Sequence, residues 1–208
     1  MRLIPAAFLV LALTGCAAPS GERAATFIND DIARAYIPLE RTSYLVMGNS
    51  GTAVVIAPGV AVTNAHLADV LGKAPLIGQS HDYDLLYFHV ARNAAPPSGA
   101  PAVGMRVVAY GTDVYGKLRV AQGVVRGLNQ PVEARCATCS VQGAFTFEGN
   151  AGPGFSGGPV VDAATGRLVG ITFGYLDPGG RRLMYAYPMS RVRNELATVT
   201  GRLPVDVD

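Results

Sequence analysis

The stretch Gly154-Phe155-Ser156-Gly157-Gly158-Pro159 decides how the rest of the chain is interpreted. It places one serine among glycines, directly before Val160-Val161, an apolar pair that predicts a strand. Glycine accepts positive φ, so such a turn can expose the serine hydroxyl and direct neighbouring amide groups toward one point. A flexible linker is the simpler alternative, and the remaining sequence has to distinguish the two.

The composition is that of a folded protein with a sizeable core. The chain has 208 residues, of which 50% are apolar and 15% are charged, against about 25% charged residues in an average globular protein. The formal net charge is +2, and no block of lysine or arginine stands out. Nucleic acid is therefore not an expected partner. The 25 glycines and 14 prolines indicate many turns and many short strands.

The first 15 residues have the pattern of an export signal. An almost entirely apolar run from Leu3 to Leu13 follows Arg2; it is too short for a permanent membrane helix, which needs about 20 residues. The run ends in Leu13-Thr14-Gly15-Cys16, which resembles the lipobox of bacterial lipoproteins. The resemblance implies a signal peptide over residues 1–15, acylation of Cys16, and a tether and N-terminal segment over residues 16–40. The alternative is an ordinary signal peptide with a chance cysteine.

Export also sets the expected location and the state of the other cysteines. Alanine, not aspartate, follows Cys16. By the same resemblance this favours the outer membrane of a bacterial cell envelope, with the protein facing the periplasm. In that oxidising space Cys136 and Cys139 are expected to form a disulfide across a tight turn. Free thiols are a second possibility. A redox or metal role is a third, although the segment lacks further metal ligands and a following helical pattern.

Short apolar runs separated by turn residues predict an all-β fold from about residue 43 onward. The predicted strands cover residues 44–47, 53–57, 60–63, 84–90, 105–110, 118–125, 141–147, 159–162, 168–173 and 183–187. This pattern indicates a sandwich or barrels. The linker-like residues 94–101 divide two halves. Only the end predicts a helix, over about residues 190–200, with Ser190 as its cap. Its apolar face comprises Val192, Leu196 and Val199.

The three histidines differ in their settings. His89 alternates with apolar residues inside a predicted strand, and His81 lies in a loop next to Asp82. His66 instead follows the strand-like run 60–63 directly. A strand end delivers a side chain to a surface cleft, so His66 is the candidate general base.

A serine hydroxyl becomes a good nucleophile only when a base and an orienting acid stand beside it. Asp84 opens an apolar run and is the preferred acid, with Asp82 as the alternative, because a half-buried carboxylate needs a partner such as an imidazole. Ser156 is the candidate nucleophile, and the amides of Gly154 and Ser156 are the candidate oxyanion donors. The chain order His66, Asp84, Ser156 is that of the chymotrypsin class. The loop also matches the G-x-S-x-G elbow, but a strand and not a helix follows it.

Five segments in order resemble the trypsin-like serine proteases, closest to the bacterial high-temperature-requirement (Deg) branch. They are SGTAVVIAPGVAVTNAH (50–66), LIGQSHDYDLLYFHV (76–90), VGMRVVAYG (103–111), AQGVVRGL (121–128) and GNAGPGFSGGPVVDAATGRLVGITFG (149–174). The first two resemble the segments that carry the catalytic histidine and aspartate of that branch. The last resembles its nucleophile loop and cleft-lining strand. The resemblance covers about residues 40–200.

The resemblance implies an architecture and an activity. The fold is expected to be two packed six-stranded antiparallel barrels within a protease domain at 41–208, the first at about 41–95 and the second at about 100–190. The activity is that of a serine endopeptidase on peptide or protein substrates, without a metal or an organic cofactor. A substrate strand is expected along Thr172-Phe173-Gly174. Asn150 falls near the base of the specificity pocket, which favours a small or medium apolar side chain over lysine or arginine.

The sequence departs from the family at three points. Phe155 stands where digestive members carry an aspartate, so activation through an ion pair with a new N-terminus is not expected. The spacing from His66 to Asp84 is short, which indicates a trimmed first barrel. The sequence stops at Asp208, which leaves no room for a PDZ domain. Two other interpretations are a catalytically silent protease fold that binds a peptide or partner, and an unrelated envelope lipoprotein. Hydrolysis of a non-peptide ester would use the same residues.

Overall fold

The computed structural model describes residues 21–40, 50–113, 115–130, 143–177 and 182–202. The strands are β1 Glu22–Arg23, β2 Tyr36–Glu40, β3 Ser50–Ala57, β4 Val60–Thr63, β5 Leu76–Gln79, β6 Leu86–His89, β7 Arg106–Thr112, β8 Leu118–Gln130, β9 Ala144–Gly149, β10 Pro159–Asp162, β11 Leu168–Leu176 and β12 Leu183–Pro188. The helices are α1 Asp30–Ala35, α2 Ala68–Leu71 and α3 Met189–Val199, with a 3₁₀ turn at Ala65–Leu67. The predicted strand at 44–47 and the predicted roles of Cys16, Cys136 and Cys139 fall outside the described residues.

The C-terminal half is a closed antiparallel barrel, as predicted. Six strands follow the order β8-β7-β10-β11-β12-β9, and β9 pairs back onto β8 to close the ring. The closing register includes Val125 opposite Phe147. Apolar side chains at alternate positions of these strands fill the interior, because successive side chains of a strand point to opposite faces. The short strand β1 pairs with β8 on the outside of the barrel.

The N-terminal half is a second antiparallel sheet with the order β2-β3-β4-β6-β5. Six strands were expected here, and five lie within the described part of the chain. Strand β2 pairs along its whole length with β3, from Tyr36 opposite Val54 to Glu40 opposite Ser50. Residues 36–40, which the sequence analysis placed in the N-terminal segment, are therefore part of this sheet, and the sheet begins before residue 41.

Helix α3 confirms the expectation of a C-terminal helix, with a different start. The expected cap was Ser190, but the helix begins at Met189 and Pro188 is the N-cap, without a side-chain hydrogen bond. The φ of Pro188 is −65°, the value that its ring imposes and that suits a helix start. The predicted apolar face packs onto the core: Val192 is buried, and Leu196 and Val199 are partly buried against it.

Strand β6 lies between two clusters of buried side chains. Leu86 and Phe88 belong to the interior of the first sheet, whereas Leu85 and Tyr87 belong to a central cluster that also contains residues of the barrel and α3. Both faces of the strand are therefore buried, which explains its continuous apolar run. The central cluster joins the two halves directly beside Asp84.

Replacing Leu86 by alanine tests this packing. Leu86 is 1% exposed, so Leu86→Ala is expected to lower the free energy of unfolding by about 2–5 kcal/mol through lost burial and a residual cavity. Leu76→Ala removes the same atoms from a side chain that is 60% exposed and should change the free energy of unfolding by less than about 0.5 kcal/mol. Urea unfolding of both variants provides the measurement. Equal losses would contradict the assignment of Leu86 to the core.

Candidate active site

His66 stands where the chain leaves the first sheet. Strand β4 ends at Thr63, and His66 lies in the 3₁₀ turn that follows. Thr63 and Asn64 are buried, whereas the His66 side chain is 47% exposed. The strand end thus delivers the imidazole from the core to the surface, as the sequence predicted.

Asp84 makes two hydrogen bonds to His66. The backbone N–H of His66 donates to Asp84 Oδ1 at 2.9 Å, and His66 Nδ1 lies 2.6 Å from Asp84 Oδ2. An ionised carboxylate only accepts hydrogen bonds, so the proton sits on Nδ1 and Nε2 is left as an acceptor. The Asp84 side chain is only 13% exposed, which makes its pairing strong relative to a surface contact.

The alternative acid, Asp82, instead contacts a different histidine at the surface. Asp82 Oδ1 lies 3.0 Å from His81 Nδ1, and the two side chains are 68% and 100% exposed. Asp82 therefore does not reach His66, and the structure favours Asp84 as the acid. His89 ends β6 with its side chain exposed.

The backbone of Ser156 is attached to the first sheet. Its carbonyl accepts the N–H of Thr52 at 2.9 Å, and the N–H of Gly157 donates to the Thr172 carbonyl at 2.8 Å. The Thr52 carbonyl in turn accepts the hydroxyl of Thr63, three residues before His66, at 2.7 Å. Within the described residues the Ser156 hydroxyl makes no hydrogen bond. The structure therefore pairs His66 with Asp84 and holds the Ser156 backbone nearby, without a hydrogen bond from the Ser156 hydroxyl to His66.

Two glycines of the loop have positive φ and no room for a side chain. Gly154 has φ +90° and Gly157 has φ +75°, and a Cβ at Gly154 would stand 1.9 Å from the Thr112 carbonyl oxygen. The Gly154 carbonyl accepts the Thr112 N–H at 3.0 Å and the Thr52 hydroxyl at 3.1 Å. The loop backbone therefore needs glycine both for its conformation and for its close approach.

The amides of the loop divide into paired and free groups. The Phe155 N–H donates to the Gly152 carbonyl at 3.1 Å, and the Gly157 N–H is paired with Thr172. Among the described residues, the N–H groups of Gly154 and Ser156 donate no hydrogen bond. These are the two amides expected to bind an oxyanion, and they stay available for that role.

Phe155 is fully buried in the interior of the barrel. Its ring contacts Gly21 so closely that a Cβ there would lie 2.7 Å from the ring. The N–H of Gly21 donates to the carbonyl of Asn150 at 2.8 Å. An apolar anchor against the N-terminal segment thus occupies the position where digestive family members form an ion pair.

The predicted substrate-binding residues are divided between two places. Strand β11 pairs with β10 only through residues 168–171, and after Thr172 its pairing in the described chain is with β12 alone. The edge at Phe173 and Gly174 is therefore open on one side. Asn150 is exposed at the end of β9, and no hydrogen bond within the described chain links it to this edge.

Two residues that the sequence analysis did not single out hold the Asp84 backbone. Asn64 Nδ2 donates to the Asp84 carbonyl at 2.8 Å, and the Asp84 N–H donates to the Tyr187 hydroxyl at 3.2 Å. Burial raises the pKa of Tyr187 well above its ordinary value, so the hydroxyl stays neutral. Tyr187 is 103 residues from Asp84 in sequence, and no local signal indicates the contact.

The described residues contain no group of three histidine, cysteine, aspartate or glutamate side chains placed to hold a metal ion. No helix in the described ranges is both long and apolar enough to cross a membrane.

A closed antiparallel barrel packed on a second sheet, with a C-terminal helix, is the chymotrypsin-like fold. The family model described as "Trypsin-like peptidase domain" matches residues 70–171, a range that includes Asp84 and Ser156 and begins after His66. Residues 70–171 therefore match a trypsin-like peptidase domain. No curated protein matches the chain.

Solved structures of proteases share the fold. Rv3671c from M. tuberculosis H37Rv, solved as a serine-to-alanine mutant in its inactive form, is 20% identical with a TM-score of 0.66 over 90% of this chain and 99% of its own. The HtrA-type protease AlgW with a tripeptide is 20% identical with a TM-score of 0.66 over 85% and 64%. The serine endoprotease from Yersinia pestis is 20% identical with a TM-score of 0.63 over 86% and 69%. These structural neighbours are HtrA-type and related proteases, and the likeness concerns the fold.

Two glycine substitutions separate backbone strain from steric overlap. Gly104 has φ +86° and open space where a Cβ would stand, whereas Gly154 has φ +90° and a Cβ there would meet Thr112. We expect Gly104→Ala to cost about 1–2 kcal/mol of stability, from the left-handed backbone alone. Gly154→Ala should cost at least about 3 kcal/mol, because overpacking adds to that strain. Thermal unfolding of both variants tests the difference, and equal costs would show that the loop is not packed as described.

Proposed function

We propose that the protein is a serine endopeptidase of the bacterial cell envelope. The observation that carries the proposal is the pairing of His66 with a largely buried Asp84, next to strands that hold the backbone of Ser156. A histidine fixed through Nδ1 presents Nε2 as a base, which is the arrangement that activates a serine hydroxyl. Hydrogen bonds at unliganded catalytic sites often tighten only when substrate binds, so the unpaired Ser156 hydroxyl is compatible with this role.

In the proposed mechanism, His66 Nε2 takes the proton of the Ser156 hydroxyl as its oxygen attacks the carbonyl carbon of the scissile peptide bond. The Gly154 and Ser156 amides stabilise the resulting oxyanion. Collapse of the tetrahedral intermediate breaks the C–N bond, and His66 gives its proton to the leaving amine. Water, deprotonated by His66, then attacks the acyl ester and releases the acid with Ser156 restored. Asp84 stabilises the imidazolium in both halves of the reaction.

The open edge of β11 is the proposed substrate-binding strand. Main-chain groups of Phe173 and Gly174 are placed to pair with an extended peptide, a recognised way to bind peptides at a sheet edge. AlgW has been solved with a tripeptide. Phe173 on this edge is stacked on Tyr187 at 4.0 Å, so the edge has aromatic surroundings. A small or medium apolar side chain of the substrate is therefore the proposed preference.

Labelling with a fluorophosphonate probe tests the nucleophile. The wild-type protein should form a covalent adduct, and Ser156→Ala and His66→Ala should each reduce labelling and peptide hydrolysis by about 10⁴-fold or more, in the range found when single members of such triads are removed. Asp84→Asn should also impair both, since it loses the carboxylate that fixes the imidazole. His81→Ala is the matched control, because His81 is fully exposed and pairs only with Asp82. Unimpaired labelling of the His66→Ala variant would contradict the assignment of the triad.

A second candidate function is a catalytically silent fold that binds a peptide. The absence of a hydrogen bond from the Ser156 hydroxyl in the described residues favours it. In that case the folded wild-type protein would not react with the probe, yet an apolar peptide would still bind, and Gly174→Pro would weaken the binding because proline has no N–H to pair with a strand.

We also propose that Cys16 carries the lipid that holds the protein in the outer membrane. Cys16→Ser is expected to abolish incorporation of labelled palmitate, because it removes the residue that would be acylated. The protein should then move from the membrane fraction to the soluble fraction, because stable anchoring needs two acyl chains. Cys139→Ser provides the control, since it removes a cysteine outside the proposed lipobox. Retention of Cys16→Ser in the membrane fraction would require another mode of attachment.

A further inference from the structure

Side chains from two other elements hold both backbone polar groups of Asp84. On one side Asn64, just before the His66 turn, donates through Nδ2 to the Asp84 carbonyl at 2.8 Å. On the other side the Asp84 N–H donates to the Tyr187 hydroxyl at 3.2 Å. Asp84 itself precedes β6, which begins at Leu86, so no strand pairing fixes its peptide groups.

The ring of Tyr187 is immobilised by aromatic neighbours. Tyr187 is 0% exposed; Phe173 stacks on it with a centroid distance of 4.0 Å and an interplanar angle of 13°, and Tyr83 meets it edge-on at 5.5 Å. Aromatic contacts of this kind add to the stabilisation from burial. The hydroxyl is thus held at a fixed point.

The position of Asp84 matters because its carboxylate contacts both the backbone N–H and the Nδ1 atom of His66. A rotation of the Asp84 peptide would lengthen the contact to the His66 N–H, the contact to Nδ1, or both, which are 2.9 and 2.6 Å. Asp84 and His66 belong to the first half of the protein, whereas Tyr187 lies on β12 of the barrel that also carries Ser156. The Tyr187 contact therefore spans the two halves that must stay aligned.

We propose that Tyr187 is a positioning residue for the candidate catalytic pair. Its neutral hydroxyl fixes the Asp84 peptide, and with it the imidazole of His66, relative to the barrel that carries Ser156; Asn64 holds the other side of the same residue. The consequence for turnover rests on the proposed function, whereas the consequence for the Asp84–His66 contact does not. Since Phe173 lies on the proposed substrate edge and stacks on Tyr187, the same ring connects that edge to the acid.

Tyr187→Phe deletes the hydroxyl and keeps the stacked ring. We expect it to lower the rate of fluorophosphonate labelling and the kcat for peptide hydrolysis by about five- to tenfold, the effect of losing one neutral hydrogen bond in the transition state, with little change in KM. Tyr87→Phe is the matched control. It also removes a buried tyrosine hydroxyl, one that donates to the Val192 carbonyl at 2.7 Å, but this hydroxyl does not contact Asp84. It should lose comparable stability and keep the wild-type rates.

A second measurement, by NMR, does not depend on catalytic activity. In a Ser156→Ala background, the proton on His66 Nδ1 should give a downfield NMR resonance because it is held against Asp84. Adding Tyr187→Phe should broaden that resonance and speed its exchange with water, whereas adding Tyr87→Phe should not. If Tyr187→Phe does not fold, Asn64→Ala acts on the other side of Asp84 and is expected to shift the same readouts in the same direction.

The results of these experiments distinguish the proposed protease activity from the positioning role of Tyr187. An unlabelled but folded wild-type protein with an Nδ1 resonance that depends on Tyr187 would contradict the proposed protease activity and support the positioning role. A labelled wild-type protein whose Tyr187→Phe variant keeps both its labelling rate and its resonance would overturn the positioning role alone. Equal losses in Tyr187→Phe and Tyr87→Phe would show a general effect of stability and would also overturn it.

Discussion

The candidate site depends on the way Thr52 of the first sheet holds the loop around Ser156, which belongs to the barrel. Thr52 donates its N–H to the Ser156 carbonyl and its hydroxyl to the Gly154 carbonyl, and it is fully buried. A buried polar group without a hydrogen-bond partner is costly, so breaking either of these bonds alone would destabilise the protein. They bring the first sheet so close to the loop that a Cβ at Gly157 would stand 2.0 Å from the Thr52 carbonyl oxygen. The requirement for glycine at 157 follows from this contact between the two halves, whereas Gly154 is crowded by Thr112 of the barrel itself.

The same loop is fixed from the barrel side by an apolar contact. Phe155 is 0% exposed, and burying a side chain of this kind contributes about 2–3 kcal/mol. Unlike an ion pair with a newly cut N-terminus, this contact needs no proteolytic event. It does need the N-terminal segment, because Gly21 packs on the ring and β1 pairs with β8. The position of the loop is thus coupled to residues that follow closely after Cys16.

The features that sequence could predict are those that local patterns specify. The strand end before His66, the run after Asp84 and the glycines around Ser156 can all be recognised over a few residues, and so can the apolar face of α3. Strand β2 was not predicted. It contains Pro38, a residue that normally argues against a strand; the proline is tolerated because β2 pairs only with β3 in the described chain. The contact between Tyr187 and Asp84 joins two halves of the fold, and a single sequence holds no local signal for such a pairing.

The groups around Asp84 explain why, within the described chain, its carboxylate pairs with His66 and not with a lysine or arginine. Its backbone partners are the amide of Asn64 and the hydroxyl of Tyr187, which burial keeps neutral. In the described part of the chain, the imidazole of His66 is the one basic side chain within ion-pair distance of its carboxylate. A lysine or arginine nearby would compete for the carboxylate and weaken its hold on the imidazole. Because the neighbours fix Asp84 without adding charge, this carboxylate is free to stabilise the positive charge that would develop on His66 in the proposed proton transfer.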